Sequence, residues 1–175
     1  MKIFDCFMYF DEDLILDVRL NSLDENIDHF VIVESKFTHK GEKRNLKFDY
    51  KNFPKFKDKI IYLIYDNEPT EIKKINDSDT ENEKTTKYIF NAIYRENGQR
   101  NFITEGLKNA DANDLILISD VDEIPNLRQI NLRNFKEKLF FFNQEMFYYK
   151  FNLKLPNQNW VGTRSCKKKY LKSPQ

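Results

Sequence analysis

The run Leu115-Ile116-Leu117-Ile118-Ser119-Asp120-Val121-Asp122-Glu123-Ile124-Pro125 constrains this chain more than any other segment. Four consecutive apolar residues read as a strand buried on both faces, which is the habit of a parallel sheet. The three carboxylates that follow cannot stay in that core, so the strand must end there at a surface. In open α/β sheets the carboxyl ends of the strands are where ligands sit. In extended geometry Asp120 and Asp122, two residues apart, point the same way and can share one hard cation such as Mn²⁺ or Mg²⁺, whose customer is a diphosphate. A plainer alternative is a turn in which Asp122 or Glu123 caps a helix begun by Pro125.

Other segments repeat the pattern. Ile3–Phe10, His29–Glu34 and Lys59–Tyr65 read as strands, and Glu34 and Asp66 stand at or just past the ends of the second and third. Between the first two, Asp11-Glu12-Asp13 supplies a cap and an acidic first turn, and Leu16, Leu20 and Leu23 recur at helical spacing. Lys36–Lys43 reads as a loop around Gly41, and Asn76–Lys84 as a polar surface connection. The stretch Glu83–Ala110 carries Ile89 with Ile93 and Ile103 with Leu107 at helical spacing, with Gly98 between the pairs. It reads as one kinked helix or two short ones. Asn126–Lys138 is expected to be a helix, Leu139–Phe142 a strand, and Met146–Phe151 a continuation of the sheet. Strands alternating with helices predict a single α/β domain over residues 1–175 with a mostly parallel central sheet.

A net charge of +1 provides no long-range field to draw nucleic acid or an anionic membrane, and none is expected as a partner. Lys167-Lys168-Lys169 reads as solvated charge. Cys6 and Cys166 are too few for a disulfide framework or a four-ligand zinc site and are read as packed, reduced thiols. No apolar run approaches the ~18 residues of a membrane span, and the first residues lack a secretory pattern, so a cytoplasmic location is expected. The chain stops at Ser173-Pro174-Gln175 after a basic stretch, and the domain is expected to be incomplete at its C-terminus.

There is no G-x-G-x-x-G after the first strand and no G-x-x-x-x-G-K-[ST] anywhere, which disfavours a dinucleotide-binding Rossmann fold and a P-loop kinase. Phosphates would be held instead by a cation on the acidic cluster, with Arg95 or Arg100 as helpers. Glu34 can accept hydrogen bonds from a base or ribose. Trp160, the only tryptophan, can stack on a sugar ring or fill the core.

The segments Phe4-Asp5-Cys6-Phe7, Asp17–Leu23, Asp28–Glu34, Thr38-His39-Lys40-Gly41, Arg95–Asn101, Ser119–Pro125 and Trp160-Val161-Gly162-Thr163 follow one another in the order of glycosyltransferase family 17, and the chain resembles that family from about Ile3 to Gln175. The resemblance implies a GT-A-like nucleotide-sugar-binding fold, a UDP-sugar donor, a glycan or glycoprotein acceptor, and a divalent metal at Asp120 and Asp122. It also implies metal-assisted transfer of N-acetylglucosamine with inversion; the candidate donor contacts among these residues are Glu34, His39, Arg95, Arg100 and Asp120. It leaves the catalytic base unassigned, since the late Trp-His-aromatic segment of the family is not among these residues. Two rival readings remain at this level. One is a carbohydrate- or nucleotide-binding fragment without catalysis. The other is a haloacid-dehalogenase-type phosphatase, whose D-x-D is usually followed by Gly and Thr rather than Glu123 and Ile124.

Overall fold

The computed structural model describes residues 1–128, 130–150 and 152–175. Its frame is one six-stranded sheet built from β1 (Ile3–Tyr9), β2 (His29–Ser35), β3 (Ile60–Tyr65), β4 (Leu115–Ser119), β5 (Leu139–Phe147) and β6 (Lys154–Lys167). The spatial order is β3-β2-β1-β4-β6-β5. β1 to β4 are mutually parallel, whereas β6 runs antiparallel to both β4 and β5. The fold is therefore α/β with a mostly parallel sheet, compatible with a GT-A-like architecture.

Among the described residues three α-helices complete the frame: α1 (Asp13–Leu23), α2 (Glu81–Asn101) and α3 (Ile103–Gly106). Alternation along the strands sorts the core into two layers. Ile3, Phe7, Phe30, Ile32, Leu115 and Leu117 meet Leu16, Leu20 and Leu23 of α1 on one face. Phe4, Cys6, Val31, Val33 and Ile116 meet Ile103 and Leu107 on the other. Covered on both sides, β1, β2 and β4 are almost wholly buried, which is why they read as continuous apolar runs. Cys6 and Cys166 are buried free thiols, and burial pushes both above the ordinary thiol range.

Local chemistry sets the helix ends. Thr80 and Glu83 form a reciprocal capping box at the start of α2, Thr80 Oγ1 accepting from the Glu83 N–H and Glu83 accepting from the Thr80 N–H at 2.8 Å. The expected break comes at Phe102, and Gly98 lies inside the helix, where a Cβ would stand 2.4 Å from the Tyr65 hydroxyl. Before α1 the Glu12 carboxylate accepts from the N–H groups of Phe10 and Asp11, closing the preceding turn rather than capping the helix.

Two expectations are corrected. No α-helix runs through Asn126–Lys138 among the described residues (Gln129 lies outside them); a single 3-10 turn occupies Leu132–Asn134. Asn126 accepts from the Arg128 N–H and Asn131 from the Arg133 N–H, both at 3.2 Å, and such local bonds compete with a helix ladder. Second, the proposed strands at 139–142 and from Met146 are one strand, β5, ending at Phe147; Phe151 lies outside the described residues. The sequence reading also missed β6. Its first half, Lys154-Leu155-Pro156-Asn157-Gln158-Asn159, is mostly polar and carries no period-2 signal. Its pairing with β4 and β5 supplies what local preference does not.

Among the described residues no helix is long and apolar enough to cross a membrane.

Candidate functional site

Because β1 to β4 are parallel, their carboxyl ends share one edge of the sheet. Directly after β4 the backbone folds into a tight turn, with the Glu123 N–H donating to the Asp120 carbonyl at 3.1 Å and the Ile124 N–H to the Asp122 carbonyl at 3.0 Å. The acidic cluster is thus a turn and not the extended segment expected from its spacing. Its capping carboxylate is Glu123, which accepts from the Asp120 N–H at 2.9 Å. No α-helix starts at Pro125 among the described residues, so the reading of Asp122 as a helix cap loses its helix.

Beneath the turn lies Arg19 of α1, fully buried. Its guanidinium makes a two-pronged pair with Asp5 at 2.7 and 2.8 Å and donates to Ser119 Oγ at 2.6 Å. It also donates to the carbonyls of Asp120, Val121 and Glu123 at 2.9, 3.0 and 3.2 Å. One side chain therefore joins α1, β1 and the acidic turn, and holds that turn's backbone without reaching solvent. From the other side β6 holds Glu123: Thr163 Oγ1 donates to its carbonyl at 2.9 Å and Trp160 Nε1 to its carboxylate at 2.6 Å. Asp120 and Asp122 are left facing outward, Asp122 exposed and the Asp120 side chain 49% exposed.

A cleft of about 930 Å³ opens beside them, lined by Tyr9, Phe10, His39, Arg100, Asp120 and Asp122 among others. Of the residues singled out in the sequence, the structure brings four together here: His39, Arg100, Asp120 and Asp122. Arg100, from α2, donates to Asp120 at 3.0 Å and to Glu96 at 2.9 Å, while its buried Nε–H has no partner among the described residues. The cleft also takes in Lys40, a second cation that the sequence placed in a family segment without assigning it to the site.

Glu34 and Arg95 are placed elsewhere. Glu34 is fully buried on the α1 side of the sheet. It accepts from the N–H groups of Lys47 and Phe48 at 2.7 and 3.1 Å and from the Tyr62 hydroxyl at 2.7 Å, and pairs with Arg44 at 2.9 Å. It anchors the returning loop and is not part of the cleft wall. Burial, then the bond to Glu34, pushes the Tyr62 hydroxyl well above its ordinary value. Arg95 donates to the His39 carbonyl and to Glu68, and lies against Gly41 so closely that a Cβ there would stand 2.4 Å from its guanidinium. With φ of 90°, Gly41 also has a backbone conformation that side chains resist. Arg95 thus shapes the loop that presents His39.

No group of three or more His, Cys, Asp or Glu side chains is arranged to hold a metal among the described residues. Two outward carboxylates remain a fitting donor set for Mg²⁺ or Mn²⁺, which commonly take one or two protein carboxylates and complete their shell with substrate phosphates and water.

Arg19 and Asp5 were not singled out from sequence, although the signal was present. Asp5 interrupts a buried strand, and Arg19 shares the helical face of Leu16, Leu20 and Leu23. Two opposite charges on two core-facing positions point to each other.

Comparison with known proteins identifies the family. The sequence matches the description "Glycosyltransferase family 17" over residues 1–173. It is also similar to the beta-1,4-mannosyl-glycoprotein 4-beta-N-acetylglucosaminyltransferases of Homo sapiens, Rattus norvegicus and Mus musculus, each 29% identical over 119 residues. That segment covers 63% of this chain and 19% of each of those relatives. The chain belongs to glycosyltransferase family 17.

Proposed function

We propose that this family member transfers a sugar from a UDP-sugar, with a divalent cation, to a glycan acceptor, and that the cleft between His39, Arg100 and Asp120–Asp122 receives the donor. The observation that carries the reading is the acidic turn: two outward carboxylates held rigidly at the end of a buried parallel strand, beside a cleft with cationic walls. The names of the relatives support N-acetylglucosamine as the sugar and a β-1,4-linked mannosyl unit as the acceptor.

Asp120 and Asp122 would hold the cation together with the diphosphate; bound there, it offsets the negative charge that collects on the departing UDP. Arg100, already paired with Asp120, stands where it can exchange that carboxylate for a phosphate oxygen. His39 and Lys40 also line the cleft. In the transfer an acceptor oxygen forms a bond to the anomeric carbon from the face opposite the phosphate. The bond from that carbon to the phosphate oxygen breaks, UDP leaves with the electron pair, and the acceptor proton passes to a base. Attack from that face inverts the configuration.

Asp122→Asn tests the reading. The side chain keeps its size and loses the charge a hard cation needs, and because Asp122 is exposed the thermal midpoint should hardly move. Calorimetric UDP affinity in Mn²⁺ should fall by about tenfold or more, about 1.4 kcal/mol. Affinity without metal should stay as weak as before. Equal metal-dependent affinity in both proteins would refute this site.

A further inference from the structure

A second cleft of about 940 Å³ lies on the far side of the acidic turn, between it and the β5–β6 ribbon, and the same Asp120 and Asp122 form its near wall. The remaining lining combines aromatic and amide side chains, Trp160 and Phe147 about half exposed with Asn143 and Gln144, and also carries Glu145 and Lys150. Tyr149 projects at its rim, 89% exposed. Three features mark this as a built surface. The Trp160 indole is fixed by its bond to Glu123. Tyr149 adopts the left-handed conformation (φ 63°), which a bulky residue takes only where its surroundings impose it, here the tight turn closed around it by the Lys150 N–H to the Tyr148 carbonyl at 2.8 Å. β5 also breaks register between Phe141 and Asn143 and again between Glu145 and Phe147, and such irregularities re-aim side chains next to functional sites.

We infer that this second cleft binds the acceptor as an oligosaccharide, with a ring lying against Trp160 and Tyr149 and a hydroxyl directed past Asp122 toward the first cleft. A pyranose has an apolar C–H face and a polar rim. Aromatic faces bordered by Asn143, Gln144 and Glu145 match both surfaces, whereas a nucleotide would meet carboxylates with no cation opposite them except Lys150. The shared wall puts the two substrates on either side of one pair of carboxylates, as a direct transfer between them requires. The choice of occupant rests on the transferase reading of the first cleft.

Because Trp160 is the chain's only tryptophan, its emission reports on this cleft alone. Titration with mannotriose and with chitotriose should give a saturable change in emission for at least one of them. Tyr149→Ala and Asn143→Ala should weaken that binding about tenfold or more (about 1.4 kcal/mol) while leaving UDP–Mn²⁺ affinity by calorimetry unchanged. Both positions are exposed, so neither variant threatens the fold. Three results overturn the inference: no emission change with either sugar while UDP–Mn²⁺ binds normally, undiminished sugar binding in both variants, or an emission shift that depends on protein concentration without sugar, which would mark the face as a self-association surface. Sugar binding without UDP binding would uphold the second cleft and refute the donor site.

Discussion

Arg19 and Asp5 carry the heaviest obligations of any side chains here. Both are fully buried, and each ion would be costly to bury alone; the two-pronged pair and four further acceptors offset that cost. Arg19→Met should therefore destabilise the fold by about 3–5 kcal/mol in denaturant titration, since it strands the Asp5 carboxylate. Pairing Arg19→Met with Asp5→Leu should recover most of that stability. Metal-dependent UDP binding should not recover, because the three bonds from Arg19 to the carbonyls of Asp120, Val121 and Glu123 are gone and only Thr163 and the turn's own Glu123 N–H still hold that backbone. A double variant that regained stability and binding together would reduce Arg19 to a structural role. The residue scale also shows the limits of reading from sequence. Asp120 and Asp122 stood out because three acids after an apolar run have few explanations. Glu34 stood out for the same reason at the end of β2, yet it turns inward to anchor residues 44–48. Which way a strand-end carboxylate turns depends on the partners that the rest of the chain brings to it.

At the scale of elements, β1, β2 and β4 were legible because strands buried on both faces are almost continuously apolar, and β3 because its six residues are all aliphatic or aromatic. β6 and the absent helix at 126–138 were not, for opposite reasons: long-range pairing overrode weak local preference in one, and asparagine side chains captured backbone N–H groups in the other. α2 is the instructive case. Its periodic Ile89 and Ile93 are exposed, while its buried positions are Asn91 and Gln99. Asn91 clamps Lys73 through paired bonds of 2.9 and 2.8 Å, and Gln99 donates to the Val33 carbonyl at 2.9 Å. The helix is thus docked by hydrogen bonds and by the close approach that Gly98 permits against Tyr65. In an ordinary helix interior, Gly→Ala stabilises by about 1 kcal/mol. Here the added methyl must displace a packed tyrosine, at an overpacking cost of about 1–3 kcal/mol. Gly98→Ala should accordingly lower the thermal midpoint, not raise it. It should also weaken UDP binding by shifting Arg100 two residues on; a raised midpoint would show that Tyr65 yields freely.

The whole molecule is graded from a rigid centre to an open flank. β1, β2 and β4 lie in mid-sheet with both faces covered, whereas the outer parts of β5 and β6, Asn143–Phe147 against Lys154–Val161, pair only with each other and expose much of their surface. Both clefts sit where these regimes meet, with the acidic turn fastened to the centre by Arg19 and to the flank by Trp160 and Thr163. Local opening follows burial, so amide hydrogen exchange should divide the chain accordingly. Amides of β1, β2 and β4 should exchange only through global unfolding, and those of the outer β5–β6 ribbon through cheaper local opening. Ligands then become a test of the two-cleft arrangement. UDP with Mn²⁺ should raise protection in the Thr38–Glu42 loop and the turn at Asp120, and an oligosaccharide should raise it in the outer ribbon. Either ligand should slow exchange at Glu123, whose N–H closes the turn and whose side chain and carbonyl are held by the ribbon. If UDP protected the outer ribbon and left the Thr38–Glu42 loop unchanged, the two substrates would have to exchange places.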